Sequence, residues 1–352
     1  MSRHAHVAAL LLALLSSPAQ TVPVHQLTLR RGENYITSII VDEKSGRAYL
    51  SVSRDEFPYT LEQISGTLVQ FRLSDFQRTG TLRLLPGENT LTAGIVDTRH
   101  GMAYFGTAGD PNKDVQARVI KINLAEFKRV GSVALGKNEY GINSAALTPA
   151  GEAGLFGTLF GSVIQVDLNA MQVSGDLGLA REDNAFQCGL MDPHGRFAYF
   201  ATATGNVMKI KLSDLTPVGN VTLLRGQPGF KAAVIAADGE SAYFGTQGSP
   251  AKIILVNLTN LQPQETLTLE AGENRLVAGF LNPREGTAYF VTHGPPVKLV
   301  TIGLNPFERL SSAVLPDYVT QVSCAAYDSR HKRIYLGINA HPAKFVKVDL
   351  FE

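Results

Sequence analysis

Clustered charge is largely missing from this 352-residue sequence. Its 32 Lys and Arg residues nearly cancel 31 Asp and Glu residues, the formal net charge is +1, and no basic stripe or charged tail is visible. Phosphate recognition depends on clustered cations, so nucleic acid is not expected as a partner. Long apolar runs are missing too. The run from Val7 to Leu15 is too short to cross a bilayer, which takes about 20 residues, so no membrane span is expected. It follows Arg3, His4 and His6 and precedes Ser16, Ser17, Pro18 and Ala19. Residues 1–19 therefore read as a signal peptide, and residues 20–352 as one exported domain, extracellular or periplasmic. Removing Arg3 takes the formal charge from +1 to 1 − 1 = 0. No nucleophile motif, Gly-rich phosphate loop or clustered cysteine ligand set is found, and no cofactor is expected.

What is present is a repeat. A leucine that ends one strand is followed 31 residues later by an aromatic or leucine inside another: Leu73 and Tyr104, Leu124 and Leu155, Leu168 and Tyr199, Leu212 and Tyr243, Leu258 and Tyr289, Leu304 and Tyr335. Tyr49 is left over at the start and Leu350 at the end. Between them run strands rich in Val, Ile, Thr, Tyr and Phe, joined by hairpins at Gly46, Gly101, Gly151, Gly195, Gly239 and Gly286. Four strands in each unit of roughly 46 residues is the size of a propeller blade. The expected fold is all-β: a seven-bladed β-propeller of four-stranded antiparallel blades, with strands a to d counted outward from the axis. Leu27 and Leu29 occupy the places of Leu82 and Leu84, so the segment from His25 to Leu29 is expected to be an outer strand. It should pair with the C-terminal strand from Phe345 to Leu350 and close the ring.

The two cysteines, Cys188 and Cys324, occupy one slot, 11 residues before Tyr199 and Tyr335. Ser38, Ala93, Ser144, Ala232 and Ala278 fill it elsewhere, so it takes a small side chain. Three blades apart they face each other across the axis, beyond the ~7 Å that a disulfide tolerates, and both are expected to be free.

The stretch Ala103, Tyr104, Phe105, Gly106 and Thr107, repeated from Ala242 to Thr246, together with Lys347, Val348, Asp349 and Leu350, resembles the YVTN-type β-propeller repeats. The resemblance covers essentially the whole mature chain. It implies the fold, and it implies an exported surface or binding protein without naming a ligand. WD40, kelch and quinoprotein signatures usually involve tryptophan, and the sequence has none.

Since the leucine-to-aromatic spacing is constant, length variation falls in the loop between strands b and c. The longest loop carries Arg54, Asp55, Glu56, Phe57 and Tyr59, and the next carries Asp110, Lys113 and Asp114. Together they form a candidate charged and aromatic rim for a protein or carbohydrate partner, although long surface loops are also tolerated without any role. In the loop from d to a, 16 residues before the aromatic, stand Glu33, Glu88, Glu139, Asp183 and Glu273, broken by Gln227 and Val319. Five carboxylates around a channel mouth would hold a cation. A side chain repeated blade after blade also commonly satisfies amides of its own loop. His293 and His341, with Asp55 and Glu56, form an alternative metal set. The leading expectation is a secreted, non-catalytic binding or scaffold module acting through the b-to-c loop face. The alternative is a propeller enzyme of lactonase or lyase type with a metal or acid-base site at the channel mouth.

Overall fold

A computed structural model describes residues 22–53, 65–178, 185–225 and 228–350. Seven antiparallel sheets of four strands are arranged as the blades of a ring. Blade one is Tyr35–Asp42, Arg47–Ser53, Ser65–Arg72 and Gln77–Pro86, paired in chain order, and blades two to six repeat that order. Blade seven takes three strands from the C-terminal segment, Val322–Asp328, Arg333–Ile338 and Lys344–Asp349, and its outermost strand is Val24–Thr28. Val24 pairs with Val348 and Thr28 with Lys344, so the ring closes as the sequence predicts.

Burial explains the sequence pattern. Strand b lies between two neighbouring blades and is covered on both faces, so it is buried along its length and mostly apolar: Ala48, Tyr49, Leu50, Ser51 and Val52 in blade one are all buried. Strand d has one face in water, and Gln77–Pro86 alternates exposed and half-buried positions. The core is a set of clusters between blades. At the closure Phe71, Phe76, Tyr335 and Phe345 meet with ring centroids 4.9–6.3 Å apart.

The turn from c to d places a bulky apolar residue in the left-handed region, with φ of 56° at Phe76, 49° at Phe127 and 51° at Leu215. That conformation costs about 1–2 kcal/mol for a residue with a Cβ. Phe127 offsets it by packing on Tyr49 of the preceding blade, with ring centroids 5.5 Å apart. Gly80 makes the room, because a Cβ there would stand 2.8 Å from the Phe127 ring.

Further ties cross the same boundary to the repeat leucine of the next blade. Tyr49 Oη donates to the Leu124 carbonyl at 3.4 Å, Lys121 Nζ to Leu168 at 2.6 Å, Lys209 Nζ to Leu258 at 2.6 Å and Tyr243 Oη to Leu304 at 3.3 Å. In two of these ties the donor is the b-strand tyrosine itself, and in the other two it is a lysine of strand c.

Candidate functional site

The carboxylates of the d-to-a loops are bound by the protein itself. Glu33 accepts the Arg30 amide at 2.8 Å and Arg78 at 2.8 and 2.9 Å. Glu88 accepts the Leu85 amide and Arg129, and Glu273 accepts the Glu270 amide and Arg309. Burial disfavours the charged form of Glu33 and Glu273. The arginine hydrogen bonds, helped by the loop amides, outweigh it and hold both carboxyls below their ordinary value. Each arginine lies five residues beyond the repeat leucine, on strand d of the blade the loop enters. Blade three has Val173 at that place, and Glu139 instead accepts Ser162 Oγ at 2.7 Å. Its Oε2 is buried without a hydrogen-bond partner among the described residues, and burial, with Asp176 nearby, raises its pKa. Asp183 lies outside the described residues.

On the loop face, Arg54, Asp55, Glu56, Phe57 and Tyr59 also lie outside the described residues. The blade-two loop is tied back on itself. Asp110 is buried and accepts the Asn112 amide at 3.0 Å, starting the 3₁₀ turn Pro111–Lys113, and a bridge joins Asp110 to Val115. Asp114 follows that turn at φ 56° and accepts the Tyr140 hydroxyl at 2.9 Å. Phe160, on the b-to-c hairpin of blade three, meets Tyr140 edge-on at 5.7 Å. Leu159 and Phe160 remain 41% and 43% exposed at the tip of that hairpin. Asp114, Tyr140 and the Leu159–Phe160 pair therefore form one continuous patch across blades two and three. Sequence reasoning followed the longest loops and passed over this one, although two large apolar residues at the tip of one of the shortest loops are visible without coordinates.

A second place emerges at the axis. In every blade the pairing of strands a and b slips by one residue at the same point, for example between Ile36 and Ser38 and between Leu91 and Ala93. The extra residues are Thr37, Thr92, Asn143, Gln187, Lys231, Val277 and Ser323, and all seven line a central cavity of about 310 Å³. A bulge turns a side chain out of the ladder, and here it turns one from each blade toward the axis. The bulge also leaves the preceding carbonyl needing a donor. Thr37 Oγ1 donates to Leu91 O at 2.7 Å, Thr92 Oγ1 to Ile142 O at 2.5 Å and Ser323 Oγ to Ile36 O at 2.7 Å. Gln247 Nε2 serves Leu276 O, and His293 Nδ1 donates to Val322 O at 2.9 Å. These seven positions lie 12 residues before the b-strand residue that marks each repeat, and six of the seven are polar, in the innermost strand of the blade. That was the available signal.

The remaining sequence candidates stand elsewhere. His293 is held by its backbone partner, and His341 Nε2 lies 3.0 Å from the Tyr35 hydroxyl. Among the described residues, no group of three His, Cys, Asp or Glu side chains is placed to hold a metal. Both cysteines are free, and burial of the thiols pushes their pKa values up to about 12. A larger groove of about 720 Å³ opens between blades three and four on the opposite face. Its cations are paired, Arg196 with Asp192 and Lys211 with Asp214. Among the described residues, no helix is long and apolar enough to cross a membrane. No protein-family model matches the chain, and no curated protein matches it either.

Proposed function

We propose that this propeller is an exported, YVTN-like binding module that docks a protein partner on its b-to-c loop face. The observation that carries the reading is the patch on blades two and three. Leu159 and Phe160 are exposed yet held on a tight hairpin, and Phe160 is braced by Tyr140, which is itself tied to Asp114. Rigid exposed aromatics lose little conformational freedom on binding and are the usual anchors of protein interfaces. Asp114, exposed and accepting the Tyr140 hydroxyl at the edge of the patch, favours a partner whose apolar anchor is flanked by Lys or Arg. Export is supported by the basic and apolar start of the sequence, and cleavage after Ala19 predicts a secreted chain beginning at Gln20.

A photo-crosslinking side chain at Phe160 tests docking. It should capture the same protein repeatedly from the host's exported fraction, whereas the same group at the exposed Ala150, on the opposite face, should not. Equal capture at both positions, or a polysaccharide whose binding survives Phe160→Ser, would overturn the reading. Turnover of lactones by the purified chain would move it to the enzyme alternative.

A further inference from the structure

We propose that the central channel is a binding site for a small hydroxylated carboxylate, seated on Lys231 inside the ring of bulge residues. The site is separate from the loop face, and its test does not depend on the docking partner.

The charge of the ligand follows from Lys231. Among the described residues it is the one charged residue lining the cavity, and its side chain makes no hydrogen bond or ion pair there. Among the described residues, two charged or titratable groups lie within electrostatic reach, Arg275 and the Cys324 thiol. Arg275 is an exposed residue of the loop entering blade six, so it adds a second cation and no counter-ion. Cys324 is held neutral by burial. Burial, followed by Arg275, lowers the pKa of Lys231. An ammonium in a confined site without a counter-ion is unfavourable, and an anion that enters relieves that cost.

The hydroxyl groups of the ligand follow from the rest of the ring. Thr37, Thr92 and Ser323 each commit their only proton to a backbone carbonyl of the next blade, which leaves acceptor lone pairs for whatever fills the cavity. Asn143 and Gln187 have no hydrogen-bond partner among the described residues and offer both donors and acceptors. Val277 is the one apolar member. A ligand with one negative end and several hydroxyl donors satisfies this set. A bare anion leaves the acceptors unmet, and a neutral polyol leaves the Lys231 charge without a counter-ion. A cavity of about 310 Å³ is at the small end of ligand sites, which fits a compound of a few carbons.

Calorimetric titration of the full chain with D-glyceric and D-gluconic acid salts, acetate and glycerol tests this. At least one of the two hydroxy acids should bind at neutral pH, about tenfold or more tightly than acetate or glycerol. Lys231→Met should abolish that binding at an unchanged melting temperature. The same affinity measured on the unmodified chain as pH rises supplies a check that needs no variant: it should fall below the pH range where an ordinary lysine loses its proton. No binding of either hydroxy acid at about 10 mM, acetate or glycerol binding equally well, affinity retained in Lys231→Met, or affinity unchanged up to the ordinary lysine range would each overturn the proposal.

Discussion

A bulge in each inner strand takes one carbonyl out of its ladder, and in blade seven that carbonyl belongs to the buried residue Val322. His293 Nδ1 donates to it, as Gln247 Nε2 donates to Leu276 O one blade earlier. His293→Ala should therefore lower stability by about 1–2 kcal/mol, since it strands a buried acceptor, while His293→Gln should retain most of it. Denaturant midpoints of the two variants check this. The carboxylates separate in the same way. Glu33 and Glu273 have folded pKa values below their ordinary value, so their stabilisation is complete above that value and is lost as pH falls through the folded one. Glu139 is the reverse: its raised pKa means that stability is lost as pH climbs from the ordinary value through the folded one. At neutral pH Glu139→Gln should raise the melting temperature by about 2 °C, and Glu33→Gln should lower it by more, because it leaves Arg78 without its partner. Below the ordinary carboxylate range the Glu139→Gln difference should vanish. Melting curves across pH decide both.

Each blade offers the same two sockets, a loop carboxylate and the strand-d position five residues beyond the repeat leucine, and only some blades fill both. Phe71 pairs with Arg78, Ile122 with Arg129 and Ile302 with Arg309, and each of these arginines meets a glutamate. In blade three the equivalent pair is Val166 with Val173, and among the described residues Glu139 meets no arginine. Val173→Arg should complete the socket, stabilise the protein by about 1–2 kcal/mol and bring the Glu139 pKa below its ordinary value. Thermal unfolding and a carboxyl NMR titration read the two effects. The carboxylate slot was legible in the sequence because it keeps a fixed distance from the aromatic of its own blade. Its partner was not, since Glu33 and Arg78 are separated by a b-to-c loop whose length changes from blade to blade. Only the leucine frame makes the arginine periodic. The channel ring was obscured for another reason: alternation in strand a reads as an ordinary half-buried strand until the bulge is known to turn one residue to the axis.

The C-terminal strand of blade seven is covered only if the two ends of the chain meet, and here they meet through one non-covalent strand. The sequence announced this closure, since the leucines at 27 and 29 keep the frame of Leu82 and Leu84, and the ladder runs from Val24–Val348 to Thr28–Lys344. Leu29 adds a backbone bond to Ala343 at 2.8 Å, and Asp349 to Pro23 at 3.0 Å. Those two bonded pairs alternate with Thr28–Lys344, which is therefore a non-hydrogen-bonded pair, where Cα atoms stand about 4.5 Å apart and a disulfide fits. Thr28→Cys with Lys344→Cys would link the ends of nearly the whole propeller without touching Cys188 or Cys324, whose desolvated thiols resist exchange. Loop-closure entropy sets an upper limit of about 6 kcal/mol for so long a loop. If opening of this seam begins unfolding, the oxidised variant should melt well above its reduced form and expose less strand edge to aggregation on heating. Equal melting of the two forms would place the first opening at another blade boundary, with the blade-seven seam no weaker than its neighbours.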